Sequence, residues 1–191
     1  MRIIEGRTAV ITGGNRGIGM ATAKEFRQLG ACVIILGRNA DSVAEAVETI
    51  GGEALGVRAD VSRLADLDRA FAEIREKVGR VDILFANAGI GRFHPVLETT
   101  EEIFDEITDT NFKGVFFTIH RALPLIPDGG MSQFSAGAYS QSTMYQLFNT
   151  PVSSRHFLAE QATLQDLQAK VADVVRLSGT QFRHIAANCE T

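Results

Sequence analysis

The octapeptide TGGNRGIG, Thr12 to Gly19, follows an apolar run and opens a segment with helical spacing. Gly13, Gly17 and Gly19 form a G-x-x-x-G-x-G pattern that encloses Asn15 and Arg16, with Ile18 between the last two glycines. A glycine turn at a helix start offers free backbone N–H groups and the positive end of the helix dipole, and missing side chains let a pyrophosphate reach the backbone. A tight turn without a ligand uses the same residues, but the strand-turn-helix setting points to a nucleotide. Arg38 and Asn39 follow the second apolar run, where a site for an unphosphorylated ribose often carries an acidic residue. Arg16 and Arg38 suit a ribose 2′-phosphate, because guanidinium pairs with phosphate bidentately; two solvated surface arginines are the alternative. NADP is therefore expected over NAD. A different chemistry is suggested by SAGAYSQSTMY, Ser135 to Tyr145, which holds both tyrosines of the chain. A tyrosine hydroxyl there gives a proton to a substrate, or it sits in a wet loop.

These residues need elements to position them. The runs at Thr8–Thr12, Ala31–Leu36, Ala54–Asp60 and Val81–Asn87 are short, rich in Val, Ile and Leu, and bounded by Gly or polar residues, as strands buried on both faces are. Helical spacing covers Ile18–Leu29, Ala40–Ile50 and Arg63–Val78, with Ser62 expected to cap the last, and continues from Thr100 to about Leu125. Alternating strands and helices of this kind predict an α/β fold, a Rossmann-like doubly wound parallel sheet.

Sixteen of the eighteen glycines but only one glutamine lie in the first 130 residues, whereas the rest holds seven glutamines, which marks a seam near Gly130. Residues 1–130 are expected to form an NADP-binding core. Residues 131–191 are read as an atypical tail with one amphipathic helix within Ser154–Leu177, either part of the same domain or a divergent or truncated end, so the sheet is expected to be incomplete at its C-terminal side. The net charge of −4 gives no global basic surface for nucleic acid or an anionic membrane. No run of eighteen apolar residues and no signal-peptide pattern occurs, and Cys32 and Cys189 make a poor disulfide framework, so a soluble cytoplasmic protein is expected. The histidines at 94, 120, 156 and 184 lack metal-ligand spacing, and no metal is expected.

Four ordered motifs, TGGNRGIG, ADVS (Ala59 to Ser62), NAGI (Asn87 to Ile90) and TNFKGVFF (Thr110 to Phe117), resemble those of the short-chain dehydrogenases/reductases over about residues 7–130. The resemblance implies that Gly13, Gly17, Ile18 and Gly19 meet the pyrophosphate of a dinucleotide, Asp60 and Val61 the adenine, and Asn87, Ala88 and Gly89 the ribose and nearby sheet. It implies hydride transfer between NADP(H) and a small carbonyl or alcohol substrate, with Asn111 holding a water in the proton relay and a tyrosine giving or taking the proton. A homo-oligomer is possible.

Tyr139 matches the position of that tyrosine, but Thr143 stands four residues on, where the family carries a lysine that lowers the tyrosine pKa. Lys113 and Lys170 lack the i+4 relation. The segment GGMSQFSAG has no β-branched run, so the strand that ends in the family's catalytic serine is expected to be missing, and neither Ser132 nor Ser135 is assigned its role. An impaired or inactive dinucleotide-binding protein with a truncated or substituted catalytic half is the alternative reading.

Overall fold

The central apolar runs become strands because they can be buried from both sides at once. The computed structural model describes residues 4–91, 95–127 and 131–134. Its elements run β1 (Thr8–Thr12), α1 (Gly17–Gln28), β2 (Cys32–Gly37), α2 (Ala40–Ile50), β3 (Leu55–Arg58), α3 (Leu64–Val78), β4 (Ile83–Ala86), α4 (Glu101–Thr108), a π turn (Asp109–Lys113), α5 (Gly114–Ala122) and β5 (Met131–Phe134). Every residue of β1 and of β4 is buried. All strand pairs are parallel, in the order β3-β2-β1-β4-β5, so the sheet is Rossmann-like.

Alternation along the strands divides the core into two layers. Val10, Ile34, Leu36 and Leu84 face α3 and α5, where Leu67, Phe71, Ile74 and Ile119 meet them. Ala9, Ile11, Val33, Ile35 and Phe85 face α1 and α2, against Ala23, Phe26, Val43 and Ala46. The chain winds from β1 outward to β3, then returns to place β4 on the other side of β1. That reversal opens a crevice between the C-terminal ends of β1 and β4.

Two sequence expectations are corrected. Met131–Phe134 does form a strand, paired with Ile83–Ala86 of β4. The edge of β4 offers unpaired backbone groups, and pairing with it outweighs the weak strand propensity of MSQF. Ser62 does not cap α3: the helix follows Arg63 without a side-chain cap, and the Ser62 amide and hydroxyl both donate to Asp60 Oδ1, at 3.0 and 2.7 Å. Asn39 caps α2 by accepting from the Ser42 amide at 2.8 Å, and Thr100 caps α4. The expected helix over 100–125 is present with a π turn in its middle. Tyr139, Thr143, Ser135, Lys170, Cys189 and the helix expected within 154–177 lie outside the described residues.

At the opposite end of the sheet from the crevice, Asp82 is 2% exposed. Its carboxylate accepts from the Thr8 amide at 2.9 Å, from Arg7 Nη1 at 3.2 Å and from the Arg80 guanidinium, while its own amide donates to the Thr8 carbonyl. Burial pushes the carboxyl up, but the hydrogen bonds from Arg80, Thr8 and Arg7 outweigh it and hold the group below the usual aspartate range. A lowered folded pKa stabilises fully above the unfolded value near 4 and is lost as pH falls through the folded one. Asp82→Asn should therefore cost about 2 kcal/mol at neutral pH. Thermal unfolding from pH 7 to pH 3 should show the gap between wild type and mutant closing below about pH 4, and a gap that stays constant would refute the assignment.

Candidate functional site

The crevice holds a cavity of about 500 Å³. Its floor is the glycine turn and the end of β4, and one end is walled by the segment after β2. Of the residues expected from the sequence, Gly13, Asn15, Arg16, Gly17, Ile18, Arg38, Asn39, Val61, Asn87, Ala88 and Gly89 line it together. Gly19, Asp60 and Asn111 stand outside that lining, and Tyr139 lies outside the described residues.

Gly19 is buried beneath the turn, where an added Cβ would collide with the Gly13 carbonyl and come within 2.7 Å of Asn87 Nδ2. Its missing side chain thus lets the helix start press against both strand ends. Gly17 has φ +54°, and a Cβ there would meet nothing within 4 Å. The first turn of α1 has no side-chain cap and no acidic residue. Its N–H groups and the clear space at Gly17 fit a pyrophosphate on steric and electrostatic grounds.

Thr12 ties the floor together. Its buried hydroxyl accepts from the amides of Asn87 and Ala88 at 3.0 and 2.9 Å, and Asn87 Nδ2 returns a bond to the Thr12 carbonyl at 3.1 Å. Asn111, in the π turn, uses both ends of its amide on one residue: Oδ1 accepts from the Ile90 amide at 2.8 Å, and Nδ2 donates to the Ile90 carbonyl at 2.7 Å. It fixes the chain just beyond Gly89 through that contact. Gly114 lets α5 approach Val61, whose Cγ2 would lie 2.9 Å from an added Cβ.

Asp60 is held on two sides. Ser62 occupies Oδ1, and the Asp60 amide donates to Asp66 Oδ2 at 3.0 Å. That amide is the first cause of the lowered Asp66 pKa; desolvation opposes it, and Arg69 and Arg63 add to the lowering. At the far end of the cavity, Arg16 and Arg38 are exposed, and neither guanidinium has a protein partner among the described residues. Asn39 is spent on capping α2, and Asn15 Nδ2 donates to Ser42 Oγ at 2.6 Å. Ser42, Ile90 and Thr110 also line the cavity and were missed from the sequence. For Ser42 a signal existed, since the third residue of a helix that begins right after β2 must lie near the strand end.

Among the described residues, no group of three His, Cys, Asp or Glu side chains could hold a metal ion, and no helix is long and apolar enough to cross a membrane.

Known proteins share this architecture. The oxidoreductase asL5 of Sarocladium schorii is 43% identical over 141 residues, covering 73% of this chain and 57% of that protein. The hydroxynaphthalene reductase arp2 of Aspergillus fumigatus is 34% identical over 142 residues, covering 70% and 52%. The crystal structure of a 3-ketoacyl-(acyl-carrier-protein) reductase from Brucella melitensis, complexed with NADH, superposes with a TM-score of 0.62 at 38% identity over 64% of this chain and 51% of that one. The chain spans a little over half the length of these curated relatives. The family model described as short chain dehydrogenase matches residues 7–137, well over half of the chain, and by that match the chain belongs to the short-chain dehydrogenase/reductase family.

Proposed function

We infer that the protein is an oxidoreductase that moves a hydride between NADP(H) and a small carbonyl or alcohol substrate. The observation that carries this reading is one cavity, at the reversal point of a parallel sheet, that joins the uncapped glycine turn to two guanidinia without partners among the described residues. The NADH complex of the Brucella reductase supports a nicotinamide dinucleotide as the ligand class.

In this reading the amides of Gly17, Ile18 and Gly19 meet the pyrophosphate across the start of α1, with Gly13 and Asn15 shaping the turn. Arg16 and Arg38 take the 2′-phosphate, beside Asn39. Asp60, beside the lining, and Val61, within it, lie by the adenine, and Asn87, Ala88 and Gly89 contact the ribose next to the nicotinamide. A nicotinamide dinucleotide held by these residues would supply hydride chemistry. Asn111 acts as a positioning residue: its amide is committed to Ile90, so the relay role expected for it runs through the backbone it holds. Tyr139 gives the proton to the substrate oxygen. A free tyrosine, with a pKa near 10, is a proton donor at neutral pH, which suits the direction of carbonyl reduction. Thr143, four residues on, carries no charge. A cytoplasmic location and homo-oligomers belong to the same reading, the latter supported by the exposed Phe104 and Phe112.

Two measurements test it. Calorimetric titration should give tighter binding of NADPH than of NADH, with Arg38→Ala weakening NADPH roughly tenfold and NADH little; NADH bound as tightly as NADPH by the wild type would refute the preference. Tyr139→Phe should lower the rate of carbonyl-dependent NADPH oxidation by about a hundredfold or more while leaving NADPH affinity unchanged. A full wild-type rate would remove the tyrosine from the mechanism.

A further inference from the structure

Around the end of the cavity nearest β2, the polar side chains are largely committed to one another. Asn39 Oδ1 accepts from the Ser42 amide, so it is turned toward the helix backbone. Asn15 Oδ1 lies over Gly37, 2.9 Å from where a Cβ would stand, and this orientation presents Asn15 Nδ2 to Ser42 Oγ at 2.6 Å. The serine therefore accepts, and its own hydroxyl hydrogen has no acceptor among the described residues. Ser42 lines the cavity in company with Arg16 and Arg38.

We propose that Ser42 is a specificity-determining residue, whose hydroxyl donates to a phosphate on the ribose 2′ oxygen, and that Asn15 is the positioning residue that aims it. This rests on the NADP reading above. A phosphate has three terminal oxygens, enough for two guanidinia and one hydroxyl, and the dianion strengthens each hydrogen bond it accepts. A 2′-hydroxyl offers a single oxygen and no charge, so it gains far less from the same three donors. The Asn15 bond occupies a lone pair of Ser42 and leaves the O–H turned away from Asn15. Asn15 thereby links the glycine turn, which holds the pyrophosphate in this reading, to the group that reads the 2′ position.

The test compares 2′,5′-ADP with 5′-AMP, which differ only in the 2′-phosphate, by calorimetric titration of the full chain. The wild type should prefer 2′,5′-ADP. Ser42→Ala should reduce that preference about tenfold with 5′-AMP affinity unchanged. Ser42→Thr keeps the hydroxyl and should restore most of the preference, and Asn15→Ala should lower it by a smaller factor than Ser42→Ala. The Asn39 cap uses the Ser42 backbone, so α2 keeps it in each Ser42 variant. Retention of the full preference in Ser42→Ala overturns the proposal alone, as does an equal loss of both nucleotides. A wild type that binds the two nucleotides equally overturns the NADP reading itself.

Discussion

The site depends first on a single buried hydroxyl. Thr12 is the last residue of β1, paired in register with Ala86 at the end of β4. Beyond that step the sheet ladder stops, and the part-buried amides of Asn87 and Ala88 need acceptors other than a strand. The Thr12 side chain accepts both, in effect adding one more rung. Asn87 is thereby held where its own amide reaches back to the carbonyls of Thr12 and Gly13. Gly19 then has no room for a side chain, and the start of α1 comes to rest against the strand ends. Remove the hydroxyl and the floor of the crevice loses its reason to stay closed.

The two ends of the sheet have opposite electrostatic characters. At the N-terminal ends of the strands, Asp82 is a buried carboxylate enclosed by donors from Arg7, Thr8 and Arg80. At the C-terminal ends, the cavity exposes backbone N–H groups and guanidinia that no described residue neutralises. A charge completed internally stabilises the fold, whereas one left incomplete is available to a ligand. Because the strands separate the two clusters, the binding end can carry excess positive potential without weakening the buried pair that secures the other end.

The elements whose ends are set by local chemistry were legible in the sequence. Thr8–Thr12 and Ala40–Ile50 have the expected boundaries, the first because a glycine turn stops it and the second because Asn39 caps it. β5 was not legible, because nothing in MSQF favours a strand until β4 offers it an edge. The polar residues divide in the same way. The glycine spacing located the cavity, since backbone shape follows from which side chains are missing. The partners of Asn15, Asn39 and Asn111 could not be read, because an amide can bond a ligand or a neighbour equally well and only the folded distances decide: Ser42 for the first, α2 for the second, Ile90 for the third.

The π turn at Asp109–Lys113 sets the rotational phase of everything after it. The Gly114 amide reaches back five residues to the Asp109 carbonyl, which places one surplus residue in the helix. Each residue of an α-helix turns the following chain by about 100°. Val115, Ile119 and Ala122 are buried only in the phase that this surplus provides, while α4 on the other side has no fully buried residue. The same segment thus keeps two frames, one suited to the surface and one to the sheet, with Asn111 at the change between them. Losing one residue here would act less like a lost contact than like a shifted gear, turning the apolar face of α5 away from the sheet while leaving its composition untouched.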